Sequence, residues 1–134
     1  MIGDDAIDTG ISAMETIYNH RKVTAVFTGN DQMAFGVYRW AYERGLFIPD
    51  DLSVIGYDDV PQAATIIPPL TTVRYPLDTV VEHMVSLLVA KLERRQISSG
   101  KMILEMPLVV RHSVADLSRK GESRPEDTIN SKGE

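Results

Sequence analysis

The sequence predicts an α/β fold, a partial doubly wound parallel sheet, on three observations. The apolar run Val23-Thr24-Ala25-Val26-Phe27 passes straight into the polar joint Thr28-Gly29-Asn30-Asp31 and then into a helical pattern. A second run, Ser53-Val54-Ile55-Gly56-Tyr57, stops at another acidic joint, Asp58-Asp59. One helix and short connections lie between them, which is the order of a βαβ unit. In an open parallel sheet, ligands bind outside the carboxyl ends of the strands. Two polar joints at two such ends point to a protein that grips a small polar molecule rather than one that transforms it.

The elements follow in chain order. Asp8 and Thr9 can cap a first helix whose apolar positions, Ile11, Met14, Ile17 and Tyr18, fall at helical spacings. The strand at Val23 to Phe27 is nearly all apolar, as expected where helices cover both faces of a parallel sheet. Asp31 starts a second helix, and Gly45 is placed to end it. Leu46 to Asp51 has the proline and aspartate chemistry of a turn. After the strand at Ser53 to Tyr57, Pro61 to Thr65 can form a short helix. Ile66-Ile67-Pro68-Pro69-Leu70 cannot be regular, because each proline removes a donor and restrains its predecessor. Thr71 to Tyr75 is extended. Pro76 and Asp78 open the longest helix, with Leu77, Val80, Val81, Met84, Leu88 and Leu92 on one face. Arg94 and Arg95 are expected in its last turn, where they suit the helix dipole. Met102 to Met106 and Leu108 to Arg111 read as two further strands divided by Pro107. From Asp116 onward the chain is Ser, Gly, Pro and mixed charge, and reads as a disordered tail.

The totals narrow the function. The chain has 134 residues, enough for one modest domain, and its 43% apolar and 25% charged residues suit a globular protein. A net charge of −5 gives no electrostatic signal for nucleic acid. There is no cysteine, which excludes disulfides and thiolate metal sites and fits a reducing, cytoplasmic setting. Met1-Ile2-Gly3-Asp4-Asp5 lacks the basic and apolar regions of a secretory signal. The apolar stretch from Val80 to Leu92 is broken by Glu82, His83, Ser86 and Lys91, so no membrane span is expected. His20, His83 and His112 are scattered, and no nucleophile elbow, zinc-protease signature or phosphate loop is present, so no catalytic residue is expected. Asp50-Asp51 and Asp58-Asp59 lack a third ligand at a suitable spacing, so neither a metal nor a cofactor is expected.

The second helix is apolar over more than half its circumference. Ala34, Val37 and Ala41 form a small-residue stripe suited to a sheet. Phe35, Tyr38 and Tyr42 form a neighbouring aromatic stripe, while Met33 and Trp40 widen the apolar surface. Two readings stand: a helix buried within one domain, or a helix packing one stripe on the sheet and the aromatic stripe on a second subunit.

Four segments, in order, resemble the lactose-repressor/galactose-repressor (LacI/GalR) family of bacterial transcription regulators. Thr24-Ala25-Val26-Phe27-Thr28-Gly29-Asn30-Asp31-Gln32-Met33-Ala34 resembles its strand-to-helix signature. Ile48-Pro49-Asp50-Asp51-Leu52-Ser53-Val54-Ile55-Gly56-Tyr57-Asp58-Asp59 resembles the next. Pro69-Leu70-Thr71-Thr72-Val73-Arg74 resembles the crossover, and Arg111-His112-Ser113-Val114-Ala115 the closing strand. The resemblance runs from about Ile2 to Ala115 and implies a periplasmic-binding-protein-like fold. It assigns residues 1–74 to part of the C-terminal lobe, 75–104 to a helix and strand returning to the N-terminal lobe, and 105–115 to the closing strand, leaving 116–134 as the tail. It departs from the family pattern at Val81 and Met84, where small residues are usual, and at Tyr75, where glutamine is frequent.

The resemblance implies an effector-sensing and dimerising portion of a repressor that holds a sugar or nucleoside-like molecule between two lobes. Operator DNA would be reached only through an N-terminal helix-turn-helix, which this sequence does not resemble anywhere. The alternative is a fragment of a periplasmic sugar-binding transport protein, which would require a signal peptide. From residue chemistry alone, Asn30 is a turn or helix-start residue or a ligand contact, and Asp58 is a turn residue or an acceptor for two ligand hydroxyls. The resemblance selects the ligand role for both, while Tyr57, Gln32 and Tyr75 are weaker candidates for lining the cleft. Asp31 is expected to cap its helix and Asp59 to serve its turn. The resemblance also favours a homodimer through Phe35, Tyr38 and Tyr42.

Overall fold

The computed structural model describes residues 5–95 and 101–116. In chain order they form α1 (Asp5–His20), β1 (Ala25–Phe27), α2 (Asp31–Glu43), β2 (Ser53–Asp58), a 3-10 turn at Pro61–Ala64, β3 (Thr71–Arg74), α3 (Leu77–Leu92) and β4 (Leu108–Val109). The sheet order is β1-β2-β3-β4. The first two pairings are parallel, and β4 returns antiparallel beside β3. This is the expected open α/β sheet.

α1 begins a turn earlier than Asp8 and Thr9 suggested, so those two residues lie inside the helix rather than capping it. The apolar stripe already starts at Ile7, and Gly10 and Gly36 let the α1 and α2 backbones touch. A Cβ on Gly10 would stand 2.2 Å from the Met33 carbonyl oxygen, and one on Gly36 2.1 Å from that of Ile7. α2 ends as Gly45 foretold. Gly45 takes φ +67°, its N–H donates to Tyr42 O, and that of Leu46 donates to Ala41 O, the two bonds of a Schellman cap.

The core lies between α1, α2 and one face of the sheet, with Met14, Val37, Trp40, Leu52, Val54 and Leu70 buried. Trp40 stands edge-on to Tyr18 at 4.9 Å, donates its indole N–H to Glu15 Oε2 at 2.9 Å, and is covered by the Arg44 guanidinium at 4.5 Å. The expectation of two covered faces is not met by the described residues. β1 is only three residues long, and Ala25 and Phe27 are exposed while Val26 packs inward.

Two more expectations change. Met102 to Met106 forms no strand, because no described strand pairs with it. Arg94 and Arg95 lie beyond α3, whose last turn carries Lys91 instead. Arg94 adopts φ +54°, and the Arg94 and Arg95 N–H groups close the helix on Lys91 O and Ala90 O. The closing strand is also short. After Leu108–Val109 the chain swings toward β2, where Ser113 O accepts the Val54 N–H. The tail expected at 116–134 lies outside the described residues beyond 116. Among the described residues, no helix is long and apolar enough to cross a membrane.

Candidate functional site

The carboxyl ends of β1, β2 and β3 meet at one edge of the sheet. At the first joint, Asn30 rather than Asp31 caps α2. Its backbone is extended at φ −158°, and its Oδ1 accepts the Met33 N–H at 2.8 Å. Both residue types can cap, and the extended residue just before the first helical one takes the role. The Asn30 Nδ2 donors keep no acceptor among the described residues.

Asp31 turns inward and is 0% exposed. Its Oδ1 accepts the Thr72 hydroxyl at 2.6 Å, and its Oδ2 accepts the Val60 N–H at 2.9 Å. One carboxylate thereby ties α2 to β3 and to the turn after β2. Gly56 makes the space, since a Cβ there would lie 2.1 Å from Asp31 Oδ1. A glycine inside a strand often marks such a close approach.

At the second joint, Asp58 and Asp59 both adopt positive φ, +113° and +57°. Non-glycine residues there cost on the order of 1–3 kcal/mol each and persist only where the surroundings fix them. Asp59 does the fixing. It accepts Arg74 Nε at 2.6 Å and Arg111 Nη2 at 2.5 Å. Arg111 also donates to Leu70 O at 2.7 Å, so β4, β3 and the turn are bound together. Burial pushes the Asp59 carboxyl up, but its bonds to Arg111 and Arg74 and their charges outweigh that and leave it below the usual range. Asp59 thus serves the turn, as expected.

The Asp58 backbone carbonyl accepts the Tyr75 N–H, while its carboxylate stays exposed with no side-chain hydrogen bond or ion pair among the described residues. Partial burial, with the Asp31 charge behind it, lifts its carboxyl above the usual range. It opens onto a groove of about 620 Å³ with Arg74, Tyr75, Leu77, Asp78 and Thr79. Tyr75 is therefore where a cleft residue should be. Asn30 and Gln32 do not line this groove, although Asn30 sits at the neighbouring strand tip. Tyr57 does not line it either. The β pleat places its side chain opposite Val54 and Gly56, and its hydroxyl meets Met106 Sδ at 2.8 Å.

The aromatic stripe of α2 divides. Tyr42 is 85% exposed and Phe35 packs partly against the core. Tyr38 is 8% exposed, and its hydroxyl donates to Pro68 O at 2.9 Å. Burial pushes that hydroxyl up to about 12, against a smaller opposing bond with Ser113. Within this chain Tyr38 is a core residue.

Sequence reasoning missed the inward role of Asp31 and the clamp by Arg111; Gly56 within a strand and a lone arginine after an apolar strand were their signals. It also missed Phe27, which is 65% exposed at the tip of β1. Among the described residues, no three His, Cys, Asp or Glu side chains are grouped to hold a metal.

In open α/β sheets, a groove at the strand tips is the usual place for a ligand. Residues 2–114 match the periplasmic binding protein-like domain. The chain is 38% identical to the ribose operon repressor of Escherichia coli K12 over 112 residues, 83% of this chain and 34% of that protein. It is 39% identical to the HTH-type transcriptional repressor PurR of Klebsiella pneumoniae over 115 residues, 85% of this chain and 34% of that protein. A LacI family transcriptional regulator from Enterococcus faecalis, solved with bound ribose, superposes with a TM-score of 0.75 at 32% identity, covering 81% of this chain and 40% of that one. The chain belongs to the periplasmic-binding-protein-like family, and the LacI-type regulators it is similar to are matched over the C-terminal part of their core. It spans about a third of the length of these curated relatives.

Proposed function

We propose that this chain is the effector-sensing part of a LacI-type transcriptional repressor, a binding module with no catalytic role. The observation that carries the reading is the exposed, unpartnered Asp58 carboxylate, held into the groove by a strained turn that Asp31 and Asp59 anchor. Hydrogen bonds to a charged group contribute about 1.5–3 kcal/mol each, so a diol on Asp58 is a strong handle. Asn30, one strand tip away, adds two donors. Relatives described as a ribose operon repressor and as a regulator with bound ribose favour a sugar within the sugar-or-nucleoside reading.

The domain reading follows the same lines. No residue of α3 is buried, yet Met84, Leu88 and Leu92 are exposed. That fits the reading of residues 75–104 as a helix and strand belonging to a second lobe, with 105–115 as the closing strand. Binding would bias the orientation of the two lobes by the effector's affinity ratio for the two states. A homodimer would use Tyr42 and Phe35, with Tyr38 supporting them from beneath, and operator DNA would be met by a separate helix-turn-helix.

A thermal-shift panel of D-ribose, other free sugars and purine bases on this chain tests the site. A ligand at about 100 times its Kd stabilises the folded state by roughly 2.7 kcal/mol. Asp58→Ala is expected to abolish the shift while leaving the unliganded melting temperature nearly unchanged. A full shift in the variant removes Asp58 from the site.

A further inference from the structure

A groove that receives a phosphate needs a free guanidinium or ammonium group, or an open helix N-terminus. This groove has both devices, and each is set beside an acid of the same chain. Arg74 is the only cation among the described residues that line it, and its Nε is held by Asp59 Oδ2 at 2.6 Å. Arg111, just behind, is held by the same carboxylate and by Leu70 O. The second device is the start of α3, a 16-residue helix whose first residues line the groove. Pro76, at the cap position, makes no side-chain cap bond, and the first turn carries Asp78, whose negative charge offsets the positive end of the dipole. Asp58 then adds a carboxylate with no cation to answer it.

We infer that the groove accepts an uncharged polyhydroxyl ligand, such as a free sugar or nucleoside, and rejects its phosphate ester. The inference rests on the effector reading above and narrows its ligand class by charge. Asp58 and Asp78 act as the selecting residues. Each accepts hydroxyl donors from a neutral ligand and repels an added phosphate. Asp59 holds Arg74 Nε and offsets part of the positive charge that would otherwise compensate.

The test is a ¹⁵N–¹H NMR titration of the full 134-residue chain with matched pairs. The probes are D-ribose against D-ribose 5-phosphate, and D-glucose against D-glucose 6-phosphate, with inorganic phosphate as a control. At least one free sugar is expected to move the amide signals of Asp58 and of Tyr75 to Thr79. Its ester is expected to bind at least about tenfold more weakly, since like charges across a contact are strongly disfavoured. Asp78→Asn, alone and combined with Asp58→Asn, is expected to narrow that gap by favouring the ester. An ester that binds as tightly as its parent sugar, or a gap untouched by both variants, overturns the charge selection and leaves the effector site standing. If no probe moves the groove signals of the folded chain, the effector reading falls and the selection falls with it.

Discussion

α2 and α3 are both apolar well beyond a single narrow stripe, and they end with the same pair of backbone bonds, yet their surroundings are opposite. α2 buries Val37, Trp40 and Ala41 between α1 and the sheet. α3 buries nothing among the described residues and leaves Met84, Leu88 and Leu92 in the open. The difference comes from topology. Short joints fold α2 back onto the strands on either side of it, while α3 leaves the sheet at Pro76 and the chain returns only at β4. Apolar spacing states that a face will be covered but not what will cover it. The chain spans about a third of its curated relatives, and α3 is the helix left uncovered among the described residues.

The largest effect that can break this contrast is in stability. Trp40→Ala is expected to cost about 3–5 kcal/mol in urea unfolding, as other buried tryptophan truncations do. Leu88→Asn on α3 is expected to stay within about 0.5 kcal/mol, the usual range at an open surface. A large loss from Leu88→Asn would mean that α3 packs within this chain after all.

A smaller effect separates the two neighbouring acids of the second joint. Asp59 has a lowered carboxyl pKa, so its stabilisation is present above the unfolded value and disappears as pH falls through the folded one. That window lies below the ordinary 3.8. Asp58 has a raised carboxyl pKa, so its ionised form disfavours folding at neutral pH, and protonation relieves that cost as pH falls through the raised value. Asp59→Asn is therefore expected to lower the melting temperature at neutral pH and to flatten its decline in acid. Asp58→Asn is expected to leave neutral stability unchanged or slightly higher. Equal losses from both variants would show that the two acids share one structural role.

Much of the sheet was legible because β strands running into polar joints leave a local signal. The apolar runs, the βαβ order and Gly45 at the end of α2 are all short-range features. What failed depended on partners distant in sequence. Asn30 and Asp31 are equally good caps, and only Val60 and Thr72, 29 and 41 residues away, decide which one turns inward. Tyr38 reads as half of an aromatic stripe until Pro68 meets its hydroxyl. Met102 to Met106 has strand composition but no described strand beside it. At the site, Asp58 and Tyr75, both singled out in the sequence, line one groove. The Arg111 clamp was not legible, because it joins the last described turn to a joint 52 residues earlier.

The most direct measurement follows the side-chain carboxyl carbons of the two joint acids by ¹³C NMR as D-ribose is added, with the other sugars and purine bases of the panel in parallel. The expected result is a saturable shift of the Asp58 carboxyl carbon with at least one neutral ligand, while the carbons of Asp59 and Asp31 stay in place. A saturable shift at Asp59 with Asp58 unmoved, or ligand binding that leaves all three carbons where they were, would contradict the assignment of Asp58 as the hand that holds the effector.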